Sequence, residues 1–132
     1  MPLPPATGYA FNRTRNAYLA NHLSVADTHW SRLRGLMWKD PASFPAGNGL
    51  WITPSRGVHT LAMKFPIDVL YLDTNKCVVH LEQSLQPWRV ARVSIRTTSV
   101  LELPANTLRS SGTAVGDEIE IASVGAPEVH TG

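Results

Sequence analysis

The stretch VHTLAMKFPIDVLYLD, residues 58–73, decides the fold because it holds two apolar segments on either side of a proline. Segments 58–63 and 67–73 have the length and residue types of β-strands, and we predict that they form a hairpin. His59 and Asp68 are polar residues set into these segments. A three-residue loop would place them on opposite faces of the hairpin, whereas a four-residue loop would place them on the same face. The sequence leaves this register open.

The rest of the chain predicts further strands and one main helix. In residues 24–38, apolar side chains recur at helical spacing, at Ala26, Trp30, Leu33 and Met37. Further strands are predicted at residues 16–23, 49–53, 76–82, 88–95, 99–104 and 117–122. Because the connections are short and no long helix separates two strands, we expect a mainly antiparallel sheet. So many strands in a short chain favour a strongly curled or barrel-like sheet with the helix packed against it, in the α+β class.

Length, composition and the start of the chain together predict one globular domain in the cytoplasm. The chain has 132 residues, and we predict a flexible leader at 1–15, a domain at 16–122 and a flexible tail at 123–132. The lone cysteine, Cys77, excludes an intramolecular disulfide or a cysteine metal cluster, and its apolar neighbours predict a buried thiol. The start lacks the pattern of a secretory signal, and no segment has the apolar length of a membrane span. A cytoplasmic location without membrane contact is therefore expected.

The charge is divided unevenly between the two halves of the chain. Residues 1–64 carry seven basic and two acidic side chains, and residues 65–132 carry five and eight, so the halves differ in sign. The basic half includes Arg13, Arg15, Arg32, Arg34 and Lys39. Neither a nucleic-acid motif nor interleaved aromatic residues accompany them, so solvated arginines are the leading interpretation and a nucleic-acid surface is the alternative.

Three ionisable residues each have a structural and a functional interpretation. His59 stands among apolar residues, where a core histidine is the default and a binding or catalytic role is the alternative. Asp68 follows Phe65-Pro66, so its carboxylate could accept hydrogen bonds from backbone amides, pair with Arg32, or face a ligand. Glu102 could pair with an arginine such as Arg32 or act as a base.

No metal or cofactor is expected from the pattern. His59, Asp68, Glu102 and Asp117 are residue types that bind zinc or a harder ion, but none of the short ligand spacings of metal sites brings two of them together.

Several short motifs follow one another along the chain. R-x-x-G-L-M occurs at residues 32–37, and H-T-x-x-M runs into P-I-D-V-L-Y-L-D at 59–73. P-W-R, L-E-L-P-A and G-D then occur at 87–89, 101–105 and 116–117. The series resembles the bacterial and archaeal family called domain of unknown function 192 (DUF192), over roughly residues 16–122. The resemblance implies that family's fold, and because the family has no agreed activity it leaves function open.

Three positions depart from the family pattern. The family usually has glycine where this chain has Lys76 and Asn106. Asparagine tolerates a left-handed backbone, so Asn106 is expected to make the same turn, whereas Asn75 is expected to take that role in place of Lys76. Ser55 stands where relatives with this H-T form often have cysteine, so a redox or metal function dependent on that cysteine is not expected here.

Three functions follow as hypotheses. The first is a non-enzymatic binding or accessory module for a small polar ligand or a protein segment, with a groove lined by Arg32, Arg56, His59, Asp68, Trp88 and Glu102. The second is a small hydrolase- or lyase-like enzyme that uses His59 as general base with Asp68 or Glu102. The third is weak nucleic-acid binding through the basic N-terminal half. Neither a substrate nor an oligomeric state follows from the sequence.

Overall fold

The computed structural model describes residues 8–26, 40–57, 63–89 and 95–122. Its strands are β1 (Gly8–Asn12), β2 (Ala17–Ala26), β3 (Asn48–Ile52), β4 (Ile67–Leu72), β5 (Val78–Leu85), β6 (Ser99–Pro104) and β7 (Ile119–Ala122). A short α-helix, α1, spans Thr107–Ser111, and a 3-10 turn spans Pro41–Ser43. In these ranges no helix is long and apolar enough to cross a membrane.

The seven strands form one sheet in the order β5-β4-β6-β3-β2-β1-β7. Every neighbouring pair is antiparallel except β2 and β3, which run parallel. The predicted mainly antiparallel sheet is confirmed, but the expectation that no connection permits a parallel pair is wrong. Residues 27–47 connect β2 to β3, and this is long enough for the crossover that a parallel pair requires.

The sheet curls until its two edge strands meet at one end. Cys77, just before β5, forms an isolated bridge with Glu118, just before β7. The backbone amide of Val78 donates to the carbonyl of Asp117 at 2.9 Å, and that of Ile119 donates to Lys76 at 2.9 Å. The predicted curled sheet is therefore present as a half-barrel, and the edges are partly protected where they meet.

Curling gives the sheet two different apolar faces. One cluster joins residues from both edges of the sheet, so it marks the concave face: Ala10, Leu19, Leu23, Leu70, Leu72, Val78, Leu101, Leu103, Leu108 and Ile119 belong to it. The other cluster marks the convex face: Phe44, Leu50, Ile52, Met63, Phe65, Ile67, Val69, Tyr71 and Val100 belong to it. Because side chains alternate along a strand, β4 and β6 contribute to both clusters.

The predicted hairpin between 58–63 and 67–73 is wrong. β4 is paired along its whole length with β5 on one side and with β6 on the other, so neither of its edges is available to a further strand. Residues 58–62, which include His59, lie outside the described residues.

The predicted helix at 24–38 is wrong over its first three residues, because residues 24–26 continue β2 and pair with β3. Its remainder, residues 27–38, lies outside the described residues. The α-helical part of the described chain is α1 alone, which the sequence did not predict, so the α+β class fits loosely and the described fold is dominated by β-structure.

The boundary of the predicted leader also needs correction. β1 lies inside residues 1–15 and pairs with both β2 and β7, so residues 8–12 belong to the sheet. Ala10 and Asn12 are fully buried while the aromatic side chains of Tyr9 and Phe11 are only partly buried. The small residues therefore face the core, which is why hydrophobic patterning did not reveal this strand.

Both positions at which the chain lacks the family's glycine adopt left-handed backbone. Asn106 has φ of 77°, as predicted, and Lys76 itself has φ of 60°. The expectation that Asn75 replaces Lys76 in this role is wrong. Trp88, predicted to start a strand, lies in a turn with φ of 65°, and residues 90–94 of that predicted strand lie outside the described residues.

Candidate functional site

Alternation along β4 and β6 separates the two candidate carboxylates. Asp68 is opposite Leu103 in the sheet and shares the concave face with Leu70. Glu102 is opposite Val69 on one side and Leu50 on the other, so it lies on the convex face. Asp68 and Glu102 therefore cannot line one groove.

The carboxylate of Asp68 is held by backbone amides. Its Oδ1 accepts from the amide of Ser84 at 2.8 Å, and its Oδ2 accepts from the amide of Leu108 at 2.9 Å. The residue is fully buried, and the first contact fixes a bulge in β5 while the second fixes the start of α1. This is the backbone-binding role considered for Asp68, although the amides come from distant segments rather than from the adjacent proline turn.

One carboxyl oxygen of Glu102, unlike either oxygen of Asp68, lacks a hydrogen-bond partner in the described chain. Glu102 is 1 % exposed, and the atom without a partner among the described residues is its Oε1. Burial raises the pKa of Glu102 to about 8, because removal from water disfavours the charged carboxylate. At neutral pH the side chain is thus mainly a neutral carboxylic acid within an apolar cluster.

Three further polar side chains lie on the same convex face as Glu102, one or two strands away from it, and the sequence did not identify them. Glu82 on β5 is opposite Val69, on the side away from Glu102. The hydroxyl of Tyr71 donates to Glu82 Oε2 at 2.8 Å, and the ring of Tyr71 lies 5.1 Å from that of His80. Strand pairing brings these residues together, so only knowledge of the sheet order could have found them. We name Glu82, Glu102, Tyr71 and His80 the convex polar group.

The other candidates do not join this group within the described chain. Arg56 is exposed in the bend after β3, and Trp88 is 65 % exposed in the turn after β5. Arg32 and His59 lie outside the described residues. Of the six predicted groove residues, Glu102 alone is placed by the structure in the convex polar group.

A second buried polar cluster lies where β1 meets the loop before β7. Asn12 Nδ2 donates to Asp117 Oδ2 at 2.9 Å and to Thr113 Oγ1 at 3.0 Å. Arg15 Nε and the amide of Ala114 also donate to Asp117 Oδ2, at 2.9 and 3.0 Å. Burial alone would raise the pKa of Asp117, but hydrogen bonds from Arg15, Asn12 and Ala114 hold it below its usual value of 3.8. These contacts satisfy the carboxylate, so the cluster stabilises the closure of the sheet.

Two arginines of the basic half, Arg13 and Arg15, are engaged with acidic side chains. Arg15 pairs with Asp117, and Arg13 pairs with Glu120 at 2.9 Å and Glu118 at 3.4 Å. These partners reduce the positive charge available to nucleic acid on this side of the sheet. In the described ranges, no three His, Cys, Asp or Glu side chains are grouped closely enough to hold a metal ion.

Known proteins resemble this chain in sequence and in fold. A UPF0127 protein of Thermococcus sibiricus is 28 % identical over 114 residues, which cover 83 % of this chain and 71 % of the relative. A UPF0127 protein of Pyrococcus horikoshii is 29 % identical over 114 residues, which cover 83 % and 95 %.

Two crystal structures are similar in fold. A protein of unknown function from Novosphingobium aromaticivorans has a TM-score of 0.72 and 16 % identity, over 86 % of this chain and 82 % of that protein. A putative transcription regulator from Sinorhizobium meliloti has a TM-score of 0.70 and 18 % identity, over 93 % and 100 %. At these identities the likeness shows the fold alone.

The family model of DUF192, described as "Uncharacterized ACR, COG1430", matches residues 10–121. This match confirms the resemblance found in the motifs, and it starts within β1. The chain therefore belongs to the DUF192 family.

Proposed function

We propose that this protein is a non-enzymatic binding module that holds a small polar ligand on the convex face of its sheet, at Glu102. The observation that carries the proposal is the buried carboxyl of Glu102, whose Oε1 has no partner in the described part of the chain. A ligand that supplies this partner would remove an unsatisfied polar atom from the core.

The unsatisfied carboxyl is costly to the fold. A buried polar group without a hydrogen bond costs roughly 1–3 kcal/mol, and a buried acid costs more when the pH favours its ionisation. The neighbours of Glu102 across the sheet are Leu50 and Val69, so an apolar residue at this position would fit the cluster. Trp51 Nε1 and Thr97 Oγ1 are also unpartnered in the described ranges, but unlike Glu102 they do not ionise near neutral pH. Costly groups of this kind are concentrated at functional sites, which favours a ligand at Glu102.

A small enzyme is the second candidate, and one observation favours it. The pKa of Glu102, raised to about 8 by burial, suits a general base or acid near neutral pH. Asp68 does not fit the catalytic role that the sequence allows for it, because each of its oxygens accepts a hydrogen bond from a backbone amide. We rank the enzyme second because the described residues place no nucleophile next to Glu102.

A cytoplasmic location stays a prediction, supported by the single cysteine.

A thermal-shift screen against small polar metabolites tests the binding role. A ligand that binds the folded chain alone at 100 times its Kd stabilises it by about 2.7 kcal/mol, which raises the melting temperature measurably. We expect the shift of a true ligand to disappear in Glu102→Leu and to persist in Glu118→Gln, which alters an exposed acid of the loop before β7. Ligands that shift the wild type and Glu102→Leu equally would contradict the proposed site. Turnover of a bound compound would favour the enzyme instead.

A further inference from the structure

We propose that a groove between β2, the turn before β3 and α1 binds a neutral sugar of about the size of one monosaccharide. The groove has a volume of about 210 Å³. Sites for drug-sized ligands have about 300–1,000 Å³, so this groove suits a smaller molecule. Glu102 does not belong to it. The groove is lined by Tyr18, Leu19, Ala20, Asn21, Ala46, Gly47, Thr107 and Ser110.

The groove has an apolar floor and exposed polar walls. Leu19 and Ala20 are 2 % and 1 % exposed and belong to the concave cluster, so they form the floor. Asn21 on β2 and Ser110 on α1 are exposed and form part of the walls. The space between these walls is open to solvent, in contrast to the buried surroundings of Glu102.

Backbone contacts fix the wall at Asn21. The carbonyl of Gly47 accepts the amides of Asn21 and His22 at 2.9 and 3.0 Å. Gly47 has φ of 93°, and a Cβ at this position would lie 2.8 Å from Asn21 Oδ1. Because glycine allows both this conformation and this close approach, the turn packs directly against the side chain of Asn21.

A buried contact fixes the opposite wall. The amide of Leu108, which is 1 % exposed, donates to Asp68 Oδ2 at 2.9 Å and so sets where α1 begins. Thr107 and Ser110 belong to the same short helix. Both walls are thus held by the fold itself, and a preformed site binds its ligand at a lower entropic cost.

The hydroxyl groups of α1 indicate a ligand that donates hydrogen bonds. Thr107 Oγ1 donates to the carbonyl of Pro104 at 2.7 Å, and Ser110 Oγ donates to that of Asn106 at 3.0 Å. A hydroxyl has one proton and two acceptor lone pairs. Since these protons are used within the chain, both hydroxyls can only accept from a ligand. The hydroxyl groups of a sugar are donors of this kind.

The lining also favours a neutral ligand. It contains no charged side chain, so a bound ion would lose its water without gaining an opposite charge. Tyr18, which lines the groove, is 66 % exposed. Its ring packs edge-on against Phe11 at 4.8 Å and Tyr9 at 5.9 Å. A tyrosine held in this way offers an amphipathic surface to the C–H groups of a sugar ring.

A peptide segment is the other neutral donor, and the burial of β2 disfavours it. A peptide that adds to a sheet edge binds mainly through backbone hydrogen bonds. Leu19 and Ala20, where β2 borders the groove, are almost fully buried, so their backbone is not accessible for such bonds. Recognition then depends on the side chains around the groove, which suits a compact ligand with many hydroxyl groups.

The test uses amide NMR of the whole protein with methyl β-D-glucopyranoside and methyl β-D-galactopyranoside as probes. Cyclohexanol is the control, because it keeps a six-membered ring with a single hydroxyl. We expect at least one glycoside to cause saturable shifts of the amide signals of Asn21, Gly47 and Ser110. Cyclohexanol should bind at least tenfold more weakly, since it lacks most of the donors. Because the lining carries no charge, glycoside affinity should be the same at pH 6 and pH 8.

Four variants locate the binding, each checked for folding by its amide signals away from the substitution. Ser110→Ala removes one acceptor and should weaken glycoside binding about three- to tenfold. Ala46→Trp should fill the groove and abolish binding. Ser43→Ala removes an exposed hydroxyl that also donates to a backbone carbonyl but lies outside the groove, so binding should not change. Glu102→Leu should leave it unchanged as well, which separates this site from the proposed function.

Three results would overturn the proposal. Equal binding of cyclohexanol and the glycosides would mean that the groove selects an apolar ring rather than hydroxyl groups. Tighter binding of N-acetylalanine methylamide, a neutral peptide fragment, would mean that a peptide is the occupant. If neither glycoside shifts the signals of Asn21, Gly47 and Ser110, the groove is not a sugar site.

Discussion

The substitution Glu102→Gln should remove a strong pH dependence from the stability of this protein. The unfolded chain loses the proton of Glu102 near the usual pKa of 4.5, whereas the folded chain loses it only near 8 because the side chain is buried. Between these values the folded chain binds more protons than the unfolded chain. Its stability from this group therefore falls as the pH rises through that window.

The magnitude follows from the two pKa values. A difference from 4.5 to about 8 corresponds to about 5 kcal/mol over the full window, and to about 3.5 kcal/mol between pH 5 and pH 8. Since domains of this size are stable by only about 5–15 kcal/mol, the loss should be plain in an unfolding experiment. Glutamine has the same shape but no charge, so its cost in the core does not change with pH.

The assay is urea unfolding, followed by tryptophan fluorescence, at pH 5, 6, 7 and 8 for wild type and Glu102→Gln. We expect the free energy of unfolding of the wild type to fall by about 3.5 kcal/mol relative to that of the variant between pH 5 and pH 8. Histidine titrations affect both proteins and cancel in this difference. Glu82→Gln, which removes a half-buried carboxylate on the same face, is the control and should follow the wild type. Parallel curves for wild type and Glu102→Gln would refute the reasoning, because they would mean that folded Glu102 ionises at an ordinary pH.

Three more substitutions test the structural roles assigned above. Asp68→Asn should lower the free energy of unfolding in urea by roughly 2–4 kcal/mol, because it replaces a carboxylate that binds the amides of Ser84 and Leu108; a loss below about 0.5 kcal/mol would contradict this role. Because the pKa of Asp117 is held below its usual value, the stability it contributes is present above about pH 4 and is lost as the pH falls further. Asp117→Asn should accordingly flatten the loss of stability between pH 5 and pH 3 in guanidinium titrations, and an unchanged slope would argue against it. Gly49→Ala should cost about 1–3 kcal/mol in the same urea assay, because the new Cβ would lie 2.9 Å from Ala20 Cβ; an unaltered midpoint would mean that the contact relaxes freely.

Local sequence patterns predicted the central strands β4 and β6 well, because successive side chains of a strand point to opposite faces of the sheet. β4 and β6 begin where the sequence places them, at Ile67 and Ser99, since β-branched and leucine residues there are bounded by proline on one side. The pairing of these strands was not predictable in the same way. The sequence suggested that β4 pairs with the segment just before it, whereas β4 lies between β5 and β6. Pairing across long separations depends on how the whole sheet buries its faces, which local periodicity does not report.

The missed elements share a physical cause. β1 turns its small residues, Ala10 and Asn12, into the core, and α1 is only five residues long with one buried side chain, Leu108. Neither has enough apolar residues to produce a periodic signal. Both are fixed instead by polar contacts, since Asn12 binds Asp117 and the amide of Leu108 binds Asp68. Structure held by buried hydrogen bonds is harder to predict from hydrophobicity than structure held by apolar contacts.

The sequence singled out two acids, Asp68 and Glu102. They face opposite sides of the sheet because their positions in the strand pairing differ by one residue. Asp68 and Val69 are adjacent, and Glu102 is opposite Val69, so the alternation of side chains that turns Asp68 to the concave face turns Glu102 to the convex face. On the concave face Asp68 meets backbone amides left free by a bulge and a helix start, and these satisfy it. On the convex face Glu102 meets the ordered side chains of paired strands, whose amides are already used within the sheet, so only a side chain or a ligand can satisfy it. A buried carboxyl group therefore stabilises the fold on one face and, on the other, creates the need for a partner on which the proposed function rests.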